Sequence, residues 1–232
     1  MKKLQILATL FFVASISLTS CSSDDSEPQI DYGTTTGDYF PLTEGNSWNY
    51  NGSVQESAIY VGLNLNMGDF NYHRLTDTDT ELDYPIWMRK TGASYFHKTE
   101  NMFLNEDNGI TVFIESYEAK VLQDDLQTGE TWSGNLKLNV RLHAGSTPQI
   151  VPASLSYTGT ILAREATETI RGTVYMNVIK SKLVVVQNIN SQMVTISSEY
   201  WYAKDIGIIR ETITNSLDNT TKTRELTSYE LK

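Results

Sequence analysis

Leu136, Leu138, Val140 and Leu142 alternate with Lys137, Asn139 and Arg141. Only an extended strand puts every second side chain on one face, so this run reads as a strand with one apolar and one wet side. The same period recurs along the chain. Trp48 and Tyr50 alternate with Asn49 and Asn51, and Ile110, Val112 and Ile114 repeat it around an apolar Phe113. Val178 to Gln187 is β-branched and bounded by Asn, and Val194, Ile196 and Tyr200-Trp201-Tyr202 extend the pattern. Ile206 to Ile213 and Thr221 to Leu231 complete it. Turn signals fall between these runs at Asn51-Gly52, Asn108-Gly109, Ser133-Gly134, Ala144-Gly145-Ser146 and Asp218-Asn219. Glu115 to Asp125 is the one stretch read as helical, on weak apolar spacing. Frequent strands with short polar connections predict an all-β, antiparallel domain: a meander, a barrel or a β-sandwich.

The N-terminus carries a different message. Lys2 and Lys3 precede a nearly continuous apolar run from Leu4 to Leu18. A basic start and a short apolar stretch describe a secretory signal peptide, and the run is shorter than the roughly 20 residues of a spanning helix. It ends in Leu18-Thr19-Ser20-Cys21, which resembles the lipobox of bacterial lipoproteins. That resemblance implies a diacylglycerol on the Cys21 sulfur, cleavage before Cys21 and acylation of the new amino terminus. Cys21 is the only cysteine, so the chain forms no internal disulfide. Each buried lipid methylene contributes about 0.8 kcal/mol, and several chains give stable anchoring.

Ser22-Ser23-Asp24-Asp25, followed by Ser26 and Glu27, resembles the acidic export signal of Bacteroidetes surface lipoproteins. This resemblance implies an outer-membrane protein facing the outside. A plain acidic tether is the competing reading. Residues 22 to 38 offer little to bury and read as a flexible leash. The expected organisation is a signal peptide over 1–20, a lipidated cysteine and acidic tether over 21–38, and a β domain over 39–232.

Removing Lys2 and Lys3 leaves 16 basic against 28 acidic residues, a balance of −12. Such a surface repels phosphates, which argues against nucleic acid as a partner and against docking on anionic lipid through a basic patch. The lipobox resemblance implies that the membrane is engaged through the lipid at Cys21. No cofactor motif is present: no glycine-rich phosphate loop follows a strand, and no Gly-x-Ser-x-Gly elbow occurs.

Asp77, Asp79, Glu81 and Asp83 are the best metal candidates, because hard cations favour clustered carboxylates. They fail the calcium-loop pattern: Leu82 stands where glycine is needed and Met88 where glutamate is needed. They are expected to point into water from an extended strand. His73, His97 and His143 show no zinc spacing and read as strand-surface residues. The 13 Tyr and 4 Trp suit a β core or cross-strand pairs, with stacking on a sugar or apolar ligand as the functional alternative.

Three islands carry a wider resemblance. They are Tyr39-Phe40-Pro41-Leu42-Thr43-Glu44-Gly45-Asn46-Ser47-Trp48-Asn49-Tyr50, then Gly172-Thr173-Val174-Tyr175, then Tyr200-Trp201-Tyr202-Ala203-Lys204-Asp205-Ile206-Gly207 with Ile208 to Glu211. Together they resemble a group of uncharacterised Bacteroidetes cell-envelope lipoproteins. The middle island departs from that pattern, with Val174 in place of an aromatic and Ile170-Arg171 before the glycine. The resemblance implies an open or flattened antiparallel β-clam, similar in outline to periplasmic carriers of lipoproteins, and brings no activity with it. The function expected is a non-enzymatic binding or structural module whose ligand is a glycan, a protein or an apolar molecule. A lipid carrier is the first alternative and a cryptic hydrolase the second.

Overall fold

The computed structural model describes residues 31–53, 55–79, 86–105, 111–143 and 148–232. Residues 32–232 form one compact unit. The described residues hold fourteen strands and no helix. They are β1 (Ser47–Gly52), β2 (Glu56–Met67), β3 (Phe70–Asp77), β4 (Ile86–Thr91), β5 (Ser94–Thr99), β6 (Met102–Asn105) and β7 (Thr111–Ile114). Then come β8 (Glu118–Gln123), β9 (Thr131–His143), β10 (Gln149–Ile170), β11 (Thr173–Ile189), β12 (Gln192–Ala203), β13 (Gly207–Asn215) and β14 (Thr220–Glu230).

All fourteen belong to one antiparallel sheet, ordered β6-β7-β9-β10-β11-β12-β13-β14-β1-β2-β3-β4-β5-β8. The sheet is open, with β6 and β8 at its two edges. The expected open antiparallel β structure is therefore what the chain adopts, and the two-sheet sandwich is not. β14 pairs with β1, so the last strand of the chain joins the first in mid-sheet.

The alternation read in the sequence matches burial. In β9, Leu138 and Val140 are buried while Lys137, Asn139 and Arg141 are exposed. With Ile114, Val151 and Leu155 they form a small core. The main core gathers Trp48, Tyr50, Tyr95, Ile161, Ile179, Ile209 and Leu226 from six strands.

The first and third islands turn out to be one structural unit. Phe40 stacks on Trp48, with ring centroids 4.8 Å apart. The Trp48 indole N–H donates to the Ile206 carbonyl at 2.6 Å, and the Tyr50 hydroxyl donates to the Ile208 carbonyl at 3.0 Å. Gly207 has φ +120, and a Cβ there would lie 2.8 Å from Trp48 Nε1. The close approach of indole to backbone requires glycine at this turn.

Three expectations are corrected. Residues 118–123, inside the stretch read as helical, are strand β8, paired with β5 from Ser94–Gln123 to Lys98–Glu118. Neighbouring edges overrode a weak helical pattern. Ser133-Gly134 lies within β9 and is not a turn: the Tyr157 ring lies across Gly134, where a Cβ would come within 2.3 Å of it. Lastly, the chain is tied to the sheet from Tyr32 and not only from Tyr39. Asp124 accepts from the Thr36 amide at 2.7 Å and the Thr35 hydroxyl at 2.8 Å, while the Tyr32 carbonyl accepts from the Ala93 amide at 3.0 Å. The turns at Asn108-Gly109 and Ala144-Gly145-Ser146 lie outside the described residues.

Candidate functional site

The open sheet curls around a cavity of about 600 Å³. Ile59 of β2, Leu75 of β3, Met88 of β4 and Val121 of β8 wall one side, and Ile208 and Ile213 of β13 the other. Phe40 and Tyr202 also line it. Strands far apart in sheet order contribute, so the chamber exists because the sheet bends. A cavity in this range is large enough to take most of a small amphiphile.

Strand parity places charged groups on the same inner face. On β14, Lys222, Arg224 and Leu226 share a face. Thr220 is exposed, Lys222 half-buried, Arg224 6% exposed and Leu226 2%. The cavity therefore runs inward from the β13–β14 hairpin, and Arg224 lies about 13 Å along the strand from Thr220.

Arg224 sits between two carboxylates. Its Nη1 and Nη2 donate to the two oxygens of Asp77, each at 2.8 Å, and its Nε donates to Glu211 Oε2. Nη1 also reaches Ser57 Oγ at 3.4 Å, and the guanidinium lies 4.8 Å from the Tyr50 ring centre. The fork geometry is one that arginine, and not lysine, can supply. Burial pushes the Glu211 carboxyl above the usual carboxylate range, against the pull of Arg224, and the Asp77 charge adds to the rise.

His97 of β5 also lines the cavity. Burial drives its imidazole down to about 4, with Asp77 pulling weakly the other way. It is therefore neutral at pH 7. The strand-surface reading of His97 is corrected: its alternation phase turns it inward. His143 ends β9 and is exposed, as expected. His73 lies on β3, its Nδ1 buried without a partner among the described residues, and burial lowers its pKa.

The four acidic candidates separate. Asp77 ends β3 and points into the cavity toward Arg224, not into water. Asp79 follows in the turn; its amide donates to Asp77 Oδ1 at 3.0 Å, and its Oδ1 accepts from Gln55 at 3.3 Å. Glu81 and Asp83 lie outside the described residues, as do Cys21, Ser22, Ser23, Asp24 and Asp25. Among the described residues no three His, Cys, Asp or Glu side chains are grouped to hold a metal.

Glu211 and Arg224 were not singled out as site residues by sequence, and His97 was read as a strand-surface residue. A signal for two of them was present: Glu211 shares its phase with Ile213, and Arg224 with Leu226. A charge on the apolar phase of a strand must be paired or must face a cavity.

No protein-family model matches the chain, and no curated protein does. Two solved structures are similar. A proposed lipoprotein from Parabacteroides distasonis ATCC 8503 matches with a TM-score of 0.51 at 10% identity, over 84% of this chain and 99% of that one. A proposed exported protein with a YmcC-like fold, from Bacteroides fragilis NCTC 9343, matches with a TM-score of 0.47 at 11% identity, over 84% and 100%. At such identities the first likeness shows a shared fold.

Proposed function

We propose that this chain is a lipid-anchored cell-envelope lipoprotein of the Bacteroidetes type whose β domain holds an apolar or amphipathic ligand. The reading is non-enzymatic. The observation that carries it is the 600 Å³ chamber walled by Ile59, Leu75, Met88, Val121, Ile208 and Ile213. A β domain of this size can fill its interior with side chains, and leaving one apolar space open forfeits packing energy of roughly 24 cal/mol per Å³. Occupancy by a ligand offsets that cost. The lipobox at Cys21 supports the anchor, and the acidic Ser22-Ser23-Asp24-Asp25 stretch supports an outer-membrane, outward-facing address.

The test is native mass spectrometry of the full chain purified from its own membrane in mild detergent and exchanged into nanodiscs. A stoichiometric apolar adduct, lost when Leu75→Trp fills the chamber, is expected. A chain that stays unliganded from every preparation and takes up no apolar probe rules the reading out. Labelling with a fatty-acid probe addresses the anchor separately, with Cys21→Ala expected to abolish the label and release the chain from the membrane fraction.

A further inference from the structure

The chamber uses one face of β3, β4 and β5, and the opposite face carries a different chemistry. Cross-strand partners share a face, and Leu75, Met88 and His97 line the chamber. The alternate phase therefore turns outward. Along that outer phase of β3, β4, β5 and β8 stand four cations, Arg74, Arg89, Lys98 and Lys120, and one acid, Glu118, a balance of +3. Glu118 is held by Arg89 at 2.7 Å. Arg74 is exposed, and Lys98 lies 6.0 Å from the Tyr72 ring centre. Neither meets a carboxylate within ion-pair distance among the described residues. On a mature chain of 16 basic against 28 acidic residues this is a local reversal of sign.

An apolar margin adjoins these cations. Leu65 pairs with Tyr72 and is 51% exposed, and Leu63, in the bulge before it, is 67% exposed. Met67 and Phe70 flank the β2–β3 turn, each half-buried. Aliphatic and aromatic side chains beside lysine and arginine suit a bilayer interface, where the apolar groups enter and the cations meet lipid phosphates. Whole-chain charge argues against such a patch, but a bilayer senses only charge within a Debye length, about 8 Å at physiological salt. The path of the chain selects this occupant. Tyr32 sets its ring edge-on against Phe70, with centroids 6.2 Å apart, and stands eleven positions after Cys21. Eleven residues span at most about 40 Å when fully extended. A lipid on Cys21 therefore keeps this end of the sheet beside the bilayer, at an effective concentration on the order of millimolar, where a weak contact is populated. Resting on the reading of Cys21 as the lipid anchor, we propose that the outer face of β2 to β5 docks on the bilayer that holds the lipid, with Leu63, Leu65 and Phe70 in the interface and Arg74 and Lys98 against lipid phosphates.

The experiment places one probe on this face. Cys21 is the only native cysteine and carries the lipid, so Leu65→Cys supplies a single free thiol for a nitrobenzoxadiazole label. Met193→Cys is the control: it is 66% exposed on β12, about 33 Å along the strand from Ala203, whose neighbour Asp205 pairs with Asp38 of the N-terminal segment. Each full chain is set in phosphatidylcholine nanodiscs, with and without phosphatidylglycerol, and quenched by lipids brominated near the head group. The Leu65 label should be quenched several-fold more than the Met193 label. Phosphatidylglycerol should widen the gap, and the double variant Arg74→Gln, Lys98→Gln should abolish that widening. Equal quenching of the two labels in a chain that has taken up a fatty-acid probe would overturn the docking and leave the anchor intact. A Leu65 label shielded to the same degree in the lipid-free Cys21→Ala chain would overturn it too, since the cover would then be protein. A chain that takes up no fatty-acid probe would remove the anchor, and this inference with it.

Discussion

Two buried arginines divide the molecule into an outer and an inner face. Arg89 stands on the outer face of β4, 3% exposed. Its Nε and Nη2 clamp Glu118 at 2.7 and 2.8 Å, and Nη1 donates to Thr91 at 2.9 Å. Phe70 and Phe96 lie 3.9 and 3.8 Å from the guanidinium carbon, and Tyr32 sets its ring edge-on against both. One cation meets one carboxylate, and aromatic rings exclude water. Arg224 stands on the inner face of β14, opposed by two carboxylates and bordered by an open chamber. The Arg89 pair is closed against water. The Arg224 triad borders open space, and burial raises the Glu211 carboxyl there. Equal burial of the same residue type thus gives a structural rivet in one place and part of a cavity wall in the other, and the surroundings of each guanidinium decide which.

The largest effect is expected at the rivet. Glu118→Gln should cost about 3 kcal/mol of unfolding free energy, because it leaves Arg89 buried without a counter-charge. Urea denaturation of the two chains measures this. A loss no larger than that of an ordinary surface change would show that Arg89 reaches water after all.

Next in size is a pH effect on the inner face. The folded-state pKa of His97 lies below its unfolded value of 6.5, at about 4. Between those values the unfolded chain takes up the proton and the folded chain does not, so stability falls as pH drops from 6.5 toward 4. The contribution is on the order of 2 kcal/mol. Glu211, shifted upward, acts in the opposite sense over the range above 4.5. Subtracting the stability profile of His97→Gln from that of the parent isolates the histidine. A flat difference across this window would mean that the imidazole is solvated inside the chamber.

Asp77→Asn sharpens the contrast. Arg224 keeps Glu211, so the expected cost is only about 1 kcal/mol. If this variant proved as unstable as Glu118→Gln, the two arginines would be equivalent and the contrast between them would fail. The smallest effect belongs to the roof of the rivet. Tyr32→Ala removes one aromatic edge from Phe70 and Phe96 and should lower stability by roughly 0.5–1 kcal/mol, with hydrogen exchange at Ala93 rising as the segment loosens.

Much of the fold was legible in the residues. Alternation in β9 is a local fact, because a strand repeats every two residues. The stretch around Glu118–Gln123 misled because its apolar spacing fits both periods weakly, and pairing with Ser94–Thr99 settled it. Gly134 misled because a glycine under the Tyr157 ring looks, in one dimension, like a glycine in a turn. At the site, Asp77 was read as a metal candidate and proved to be the partner of an arginine 147 residues away.

The sequence by itself determined the all-β antiparallel class, the lone sulfur at Cys21 and the acidic balance, because each depends on residues adjacent in the chain or on composition alone. Only the tertiary structure decided that Asp77, Glu211 and Arg224 meet, that His97 faces inward, and that the interior stays open. Those facts come from the register of β2 against β3 and of β13 against β14, and from the curvature of a fourteen-strand sheet. Curvature accumulates from small twists over strands distant in sequence, so no local pattern encodes the space it encloses.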